Sequence, residues 1–403
     1  MANMKKGTVG VGVIGAGSIA DLAHFPSVLQ IEEGRLEAAC DPVEEYRQRA
    51  AKKWGVPKIF ADYHEMLKLD SIDLVIVASP NVFHHEHATA ALQAGKHVII
   101  EKPFACTNAE AWDIVAVAKQ CHRKVMVGCN YRFWEQHLIA KNLINSGVIG
   151  DVKMGSSKSH ESWSLYHEMI SYTRYRADAE LAGAGALFDL GSHMTDLLLW
   201  FMGKPPKRVC GVAKNLTRPP TYTVLDDCVY IQIEFEGGAY GMVDLNRYSP
   251  VVTQGCELLG TEGTILTSSE AQNPYQSAPL AVYTNKDYNW EDLPEILRDY
   301  RYPQVFWAQD NVDRPLKKRW IPIYPPRGWA YKKMIQHFID CIAYDQAPII
   351  RPEDGAVAME VLCAVFKSME TNGWVDLPLK EEVIPPGYKK QGIGVAVAPG
   401  WGS

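Results

Sequence analysis

Three side chains carry the strongest signs of chemistry in this sequence: a lysine, an acid and a histidine. Lys102 stands between Glu101 and Pro103, directly after a predicted strand that the proline stops. An ammonium group held beside a substrate hydroxyl can donate a hydrogen bond to it and stabilise a developing alkoxide. A lysine merely exposed at a strand end is the alternative, and the position and the proline count against it.

The acid and the histidine belong to a segment that begins with a glycine-rich turn at 183–185. A helix predicted over 186–201 places Asp189 and His193 four residues apart, with Asp196 three residues later, so that all three share one face. Carboxylates near a histidine can orient its ring and tune it to accept a proton near neutral pH. A structural histidine with a capping acid explains this segment equally well.

A further segment has the pattern of a dinucleotide site. The run Gly15-Ala16-Gly17-Ser18-Ile19-Ala20 follows a strand-like stretch, 8–14, and opens an amphipathic stretch, 18–30. In such a GxGxxA turn the first glycine makes the tight bend, the second admits a pyrophosphate, and the helix N-terminus faces the phosphates. Asp41 ends the next predicted strand, where a carboxylate can accept hydrogen bonds from both ribose hydroxyls of NAD and repel a 2′-phosphate.

Strand and helix patterns alternate through the first third of the chain. The predicted strands are 8–14, 35–40, 72–78, 97–100 and 124–128, and helices such as 43–54, 85–94 and 108–121 fall between them. This alternation predicts an α/β fold, a doubly wound parallel Rossmann sheet whose ligands lie beyond the carboxyl ends of the strands. Residues directly after those strands are therefore candidates for cofactor contacts.

The pattern changes after about residue 130. A helix over 135–146 is followed by β-rich stretches at 152–159, 208–215, 227–236, 241–247 and 254–260, with a hairpin turn at 236–239 and late helices over 330–344 and 355–372. We expect a C-terminal α+β domain on an open, mainly antiparallel sheet. One broad face of such a sheet often pairs subunits, so a homo-oligomer, dimer or tetramer, is expected.

These patterns divide the chain into a nucleotide-binding domain over 1–130, a substrate-binding and oligomerisation domain over 131–382 and a Pro/Gly-rich tail over 383–403. Segment 285–329 is irregular and rich in Trp, Tyr and Arg. A stretch of this length without periodicity is usually functional or mobile.

Composition bounds the class of protein and its partners. A net charge of −6 gives no reason to expect nucleic acid or an anionic membrane, and no apolar run reaches the roughly 18 residues that span a bilayer. Nine scattered cysteines without a CxxC pair, and a short polar N-terminus, predict a cytoplasmic protein with reduced thiols. His84, His85 and His87 lie close in sequence, but no carboxylate or cysteine completes a ligand set, so no metal is expected.

The motifs together resemble the Gfo/Idh/MocA family of sugar and cyclitol oxidoreductases, over nearly the whole chain except segment 285–329 and the tail. The matching residues are the turn 15–20, Ser79-Pro80-Asn81 with His84, Glu101-Lys102-Pro103, Asn130-Tyr131-Arg132-Phe133, Asp189-Leu190-Gly191-Ser192-His193 with Asp196, and Pro352-Glu353-Asp354-Gly355. The resemblance implies that Lys102 binds the reacting hydroxyl and the nicotinamide ribose, and that Asp189 and His193 orient the substrate and act as an acid–base pair.

The same resemblance and the strand ends together give the expected contacts of the site. Cofactor contacts are expected from Gly15, Gly17, Ser18, Ile19, Asp41, Ser79, Asn81, His84, Glu101, Lys102 and Asn130. Substrate contacts are expected from Lys102, Arg132, His160, Trp163, Arg174, Arg176, Asp189 and His193. The arginines keep an acidic sugar, such as a uronate or sulfonate, among the possible substrates without favouring it, because surface ion pairing explains them equally well.

We therefore expect an NAD-dependent dehydrogenase that oxidises a secondary hydroxyl of a sugar, glycoside, anhydrosugar or inositol. The main alternative is an NAD-dependent glycoside hydrolase that uses transient oxidation and elimination with no net redox change, since the same lysine, acid and histidine would serve it. A catalytically silent nucleotide sensor is a third possibility, against which the intact set counts. Segment 285–329 could stack on a larger sugar or contact another subunit.

Overall fold

Two β-sheets organise the chain in a computed structural model that describes residues 8–161, 175–217, 225–268, 278–287, 318, 320–386 and 388. Two expected substrate contacts, Trp163 and Arg174, lie outside the described residues, as do most of segment 285–329 and the end of the tail. No helix within the described ranges is long and apolar enough to cross a membrane.

The first sheet has six parallel strands in the order β3-β2-β1-β4-β5-β6. Its strands are β1 (Val9–Ile14), β2 (Gly34–Cys40), β3 (Lys58–Phe60), β4 (Leu74–Val77), β5 (His97–Ile100) and β6 (Val125–Val127). The predicted doubly wound parallel sheet is thus confirmed. The short edge strand β3 was not predicted, because three residues are too few to show a strand period.

Helices connect these strands and cover the sheet, which is why its central strands are buried along their full length. The helices are α1 (Phe25–Val28), α2 (Glu44–Trp54), α3 (Tyr63–Leu67), α4 (His84–Gln93) and α5 (Asn108–Gln120). A π-helical turn, Ala20–His24, precedes α1. Pro26 lacks the amide hydrogen that an α-helix needs there, and the wider winding lies directly before it.

The second sheet has nine strands in the order β14-β13-β12-β11-β7-β10-β9-β8-β15. Its strands are β7 (Val152–His160), β8 (Pro206–Lys214), β9 (Cys228–Phe235), β10 (Tyr240–Asn246), β11 (Thr253–Gly260), β12 (Gly263–Ser268), β13 (Leu280–Thr284), β14 (Trp320–Ile323) and β15 (Val375–Asp376). Every described pairing in it is antiparallel except β7 with β10. The expected mainly antiparallel sheet is confirmed, as is the β9–β10 hairpin, where Gly237 and Gly238 take positive φ.

The helices of this second part are α6 (Glu135–Asn145), α7 (Ala179–Ala182), α8 (Ala186–Asp189), α9 (Gly191–Met202), α10 (Ala330–Ala343) and α11 (Pro352–Thr371). Helices α9 and α11 pack on one face of the nine-stranded sheet. The other face bears exposed aromatic and Met side chains from neighbouring strands: Met154, Tyr230, Tyr240 and Met242.

Residues 381–383 and Tyr388 contact the start of α5, beside the first sheet. The amide of Val383 donates to Oδ1 of Asn108, and the hydroxyl of Tyr388 contacts Oε1 of Glu110 on α5. Both Val383 and Tyr388 are buried. The first residues of the predicted tail are therefore packed against α5.

Candidate active site

An open cavity of about 270 Å³ lies beyond the carboxyl ends of β1, β4, β5 and β6, where the first sheet meets α8 and α9. This is the edge at which doubly wound sheets bind their ligands, and β1 and β4 flank the point where strand order reverses. The cavity is lined by Ile19, Ala78, Ser79, Asn81, His84, Glu101, Lys102, Asn130, Tyr131, Glu161, Tyr175, Arg176, Asp189, Leu190, His193 and Tyr331.

Lys102 and Asp189 meet in this cavity although 87 residues separate them. The Nζ of Lys102 donates to the backbone carbonyl of Asp189 at 3.0 Å and also contacts its carboxylate oxygen Oδ1. The other carboxylate oxygen, Oδ2, accepts from Arg247 and lies 3.3 Å from Nη1 of Arg176. One carboxylate therefore faces three cationic side chains.

This arrangement fixes the charge of Asp189. Burial alone would raise the pKa of its carboxyl, but the positive charges of Arg176, Lys102 and Arg247 hold that pKa well below its usual range. Asp189 is thus ionised and poorly suited to accept a proton. The acid can instead hold the lysine and the two arginines in place.

The turn before α8 explains why Asp189 points inward. Asp226 is buried, and its two carboxylate oxygens accept from the amides of Gly185 at 2.8 Å and Leu187 at 2.7 Å. The helix predicted over 186–201 is interrupted at Leu190, which joins α8 to α9. Asp189 ends α8, and His193 lies in the first turn of α9.

His193 stacks on Tyr131, with ring centroids 4.0 Å apart and planes 8° from parallel. Its buried Nδ1 has no hydrogen-bond partner within the described residues. Burial lowers the pKa of His193 well below its ordinary value, and the nearby positive charge of Lys102 acts in the same direction, against Asp189. The imidazole is therefore neutral and available to accept a proton.

A network of side-chain hydrogen bonds holds the hydroxyl of Tyr131. The Nε2 of Gln254 donates to the hydroxyl of Tyr131 at 3.1 Å, to Oγ of Ser159 at 2.8 Å and to Oε1 of Glu161 at 2.7 Å. Burial, together with the charge of Asp189, raises the pKa of Glu161. This network connects β7 and β11 to the cavity wall.

The glycine turn borders the cavity through Ile19, while Gly15, Gly17, Ser18 and Asp41 are not among the residues that line it. Gly15 has φ +94°, and a Cβ on it would lie 2.5 Å from the carbonyl oxygen of Ala78, so that only glycine fits. A Cβ on Gly17 would meet nothing within 4 Å, which leaves open space above the turn. Asp41 accepts from the amides of Ala16 and Val43, each at 2.8 Å, and burial raises its pKa despite these bonds.

The remaining predicted cofactor contacts that line the cavity are also tied into the fold. The Nδ2 of Asn81 donates to the carbonyl of Ala182 at 2.9 Å, and the ring of His84 lies between the carbonyls of Pro103 and Ser79. Oδ1 of Asn130 is buried and has no partner among the described residues, so it remains available to a ligand. Glu101 meets Nε2 of His24 at 2.9 Å.

Three side chains that the sequence analysis assigned to the site do not line the cavity. Arg132 is 2% exposed and makes a two-pronged contact with Asp196, at 2.8 Å from Nε and 2.6 Å from Nη2. Its guanidinium is thus used inside the protein and does not line the cavity, which corrects the expectation that it binds substrate. The same pair corrects the expectation for Asp196, which does not join Asp189 and His193 in the cavity.

His160 is the other correction. It ends β7 on the face opposite α9, with Nε2 3.0 Å from Oδ2 of Asp244 on β10, and it is absent from the cavity lining. Side chains alternate along a strand, so Glu161, one residue further, reaches the cavity instead. The described residues contain no group of three His, Cys, Asp or Glu that could hold a metal ion.

Five side chains of the site were not predicted: Tyr175, Arg247, Gln254, Glu161 and Tyr331. They come from separate strands, loops and the start of α10, and none follows a strand of the first sheet. Their spacing in sequence carries no signal of a shared site.

Comparison with known proteins identifies two family domains, which together span most of residues 9–266. Residues 9–129 match an oxidoreductase family with an NAD-binding Rossmann fold, and residues 137–266 match a GFO/IDH/MocA C-terminal domain. The chain is 28% identical over 385 residues to the D-glucoside 3-dehydrogenase of Escherichia coli (strain K12), covering 91% of this chain and 97% of that protein.

Two further comparisons are with levoglucosan dehydrogenases. The chain is 28% identical to the levoglucosan dehydrogenase of Pseudarthrobacter phenanthrenivorans, covering 94% of this chain and 99% of that protein. A solved structure of a levoglucosan dehydrogenase in complex with NADH superposes with a TM-score of 0.75 at 24% identity, over 92% of this chain and 99% of that chain. The structural likeness shows that the two share a fold.

Proposed function

Because the chain belongs to the GFO/IDH/MocA family of oxidoreductases, we propose that it is an NAD-dependent dehydrogenase of a carbohydrate or cyclitol. Its substrate is a sugar, glycoside, anhydrosugar or inositol, oxidised at a secondary hydroxyl. The observation that carries this proposal is the meeting of Lys102, Asp189 and His193 in one cavity beside the glycine turn. The dehydrogenases to which the chain is similar act on glucosides and levoglucosan.

The residues of the turn fit NAD. The open space above Gly17 gives room for a pyrophosphate, and the buried carboxylate of Asp41 keeps lone pairs for ribose hydroxyls. The unpartnered Oδ1 of Asn130 adds an acceptor at the far strand end. Bound NAD supplies the hydride acceptor.

Four side chains have separate roles in the proposed reaction. Neutral His193 takes the proton of the reacting hydroxyl, and Lys102 donates a hydrogen bond to the oxygen as negative charge develops on it. Asp189 fixes the ammonium group of Lys102 by accepting at Oδ1. Glu101, held by His24, fixes the turn that carries Lys102 because its Oε2 lies 3.3 Å from the amide of that residue.

The test is the absorbance at 340 nm of purified protein with NAD and a panel of sugars, inositols, anhydrosugars and glycosides. NADH formed in step with oxidised product supports the dehydrogenase. Release of an aglycone without net NADH would instead support the glycoside hydrolase, to which the relatives named above give no support.

Asp41 predicts the choice between NAD and NADP. Asp41→Ser removes a charged acceptor of ribose hydroxyls, so kcat/KM for NAD should fall about 10- to 100-fold. It also removes the repulsion of a 2′-phosphate, so kcat/KM for NADP should rise. Steady-state kinetics with both cofactors measures the ratio. Asp62→Ser, at the N-cap of α3, is the matched control, and an unchanged ratio in the Asp41 variant would contradict the assignment.

We also propose that the protein is a cytoplasmic homo-oligomer, divided into domains over 1–130 and 131–382 with a tail from 383. Support for association comes from the open sheet face, where Met154 lies opposite Tyr240 and Met242 follows two residues later on the same side. Met242→Glu should shift the native assembly toward monomers in sedimentation velocity. A wild-type protein that sediments as a monomer would contradict the proposal.

A further inference from the structure

The side chains around Asp189 carry information about the charge of the substrate. We infer that the carbohydrate bears an anionic group, a carboxylate, sulfonate or phosphate, and that Arg176 binds this group. The inference rests on the proposed function and narrows its substrate class. It depends on the contacts of Arg176, on the charges at Asp189 and on the other carboxyl groups of the cavity.

Arg176 lines the cavity and makes only long contacts with the residues that the structure describes. Its Nη1 lies 3.3 Å from Oδ2 of Asp189, and its Nε lies 3.3 Å from the hydroxyl of Tyr175. Both distances exceed the range of about 2.7–3.2 Å in which N–H···O bonds normally fall. Its Nη2 forms no hydrogen bond within the part of the chain that the structure describes. The side chain is 24% exposed, so a ligand can reach it.

Arg132 shows how differently this fold treats a structural arginine. Its Nε and Nη2 bind both oxygens of Asp196 at 2.8 and 2.6 Å, its Nη1 donates to the carbonyl of Ile349 at 2.9 Å, and its side chain is 2% exposed. That guanidinium is enclosed and paired. Arg176 is open to the cavity and has only long contacts, which is the state expected of an arginine that pairs with a ligand.

Asp189 does not need Arg176 for its own neutralisation. Lys102 contacts one of its carboxylate oxygens and Arg247 the other, both more closely than Arg176 does. Glu101 interacts with Lys102, and Glu161 interacts with Arg247 and Lys102, so these carboxyls serve the two cations nearest Asp189. Arg176 is the most distant of the three cations that share Asp189, in a place where a poorly paired charge is costly. An anionic substrate group would give Arg176 a closer partner, and the planar guanidinium can bind two of its oxygens at once.

The other carboxyl groups of the cavity are occupied elsewhere. Glu101 accepts from Nε2 of His24 at 2.9 Å, and Glu161 accepts from Nε2 of Gln254 at 2.7 Å. Burial and the nearby Asp189 raise the pKa of Glu161 against the opposing charges of Arg247 and Lys102. Neither group forms an ion pair with Arg176 in the described ranges. Within the described residues Arg176 therefore has only the distant, shared carboxylate of Asp189 as its counter-charge, which leaves room for a closer anionic group of the substrate.

The experiment compares neutral sugars with charged derivatives that differ in one group. The probes are D-glucose, D-glucuronate, D-glucose 6-phosphate and the 6-sulfonate of 6-deoxy-D-glucose, which keep the sugar ring and separate carboxylate, phosphate and sulfonate. Initial rates of NADH formation give kcat/KM, and calorimetric titration of the NADH-saturated enzyme gives Kd. At least one charged probe should exceed its neutral parent by about 10-fold or more in both measurements.

Arg176→Gln keeps a polar side chain of similar length and removes the charge. In this variant the preference for the charged probe over the neutral one should fall by about 10- to 100-fold. Arg35→Gln, at the opposite end of β2 from the cavity, is the matched control and should keep the preference. The ratio of charged to neutral kcat/KM separates loss of recognition from general damage to the enzyme.

Two results would overturn the inference: tighter binding of neutral parents than of every charged derivative, or a preference that survives in Arg176→Gln. Either would show that Arg176 binds hydroxyl pairs or stabilises the fold. Failure of the proposed function is separate, because it would appear as no NADH from any sugar. Calorimetry decides the charge preference in that case as well.

Discussion

Replacing His193 by asparagine should lower kcat by about 10²- to 10⁴-fold while the protein still binds NAD. The reason is that His193 is neutral and its buried Nδ1 has no partner among the described residues, whereas both ring nitrogens of His84, the other histidine lining the cavity, contact backbone carbonyls. Asparagine keeps a polar side chain beside Tyr131 but cannot accept the proton. Asp189 cannot replace the histidine as a base. Burial raises the pKa of its carboxyl, but three nearby cations outweigh burial and hold that pKa well below its usual range.

Turnover is read from NADH formation, and cofactor binding from the fluorescence of added NADH. His85→Asn is the matched control, since His85 lies on α4 and meets only Asp113 among the described residues. Near-normal turnover in His193→Asn would disprove the assignment of the base. Lost NADH binding would show that the substitution damaged the fold.

The wild-type pH profile gives an independent check of this base. Burial lowers the pKa of His193, with Lys102 and Arg176 adding to the effect and Asp189 opposing it. Only the neutral imidazole accepts a proton, so activity is lost as pH falls through that lowered pKa. The acid limb of kcat/KM should therefore lie below pH 6.5, the ordinary value for histidine.

Lys102→Met should lower kcat by about 10²- to 10³-fold, the cost typical of losing one preorganised donor to a developing oxyanion. Methionine has a similar length and keeps the packing of the side chain, but it offers no proton and no charge. Asp189 would keep Arg247 and Arg176 as partners, so that its buried carboxylate is not left unpaired. The protein should therefore remain folded.

The pH profile distinguishes this role of the lysine from a structural one. The positive charge of Lys102 contributes to lowering the pKa of His193. Without it that pKa rises, and the acid limb of kcat/KM should move to higher pH in Lys102→Met. Lys119→Met, which removes an exposed lysine of α5, is the control. An unshifted limb, or kcat close to that of the wild type, would contradict the proposed contact.

The first sheet could be predicted because its signals are local. β1 and β5 appear within a residue of their expected bounds, and Gly15 and Asp41 fall at strand ends, as the glycine pattern requires. The last four strands of the second sheet were missed. β13 and β14 have only five and four residues, too few to show a clear strand period. β12 follows a turn bounded by Gly260 and Gly263, a hairpin signal that the prediction overlooked.

The arginines show where local reasoning ends. Arg132 and Arg176 are the same residue type, and both stand near recognised motifs. One is sealed against Asp196, 64 residues away, and the other faces the cavity. No spacing rule separates them, because the difference lies in which acid the fold brings to each.

The sequence by itself determined the family and predicted the cofactor turn and the three side chains proposed to react, since each is specified by residues close together in the chain. Only the tertiary structure decided that Arg247, Glu161 and Tyr331 join them, because these side chains come from different elements and meet only when both sheets have formed. It also decided the charge states of Asp189 and His193. Those depend on burial and on distances to distant charges, which a linear sequence does not contain.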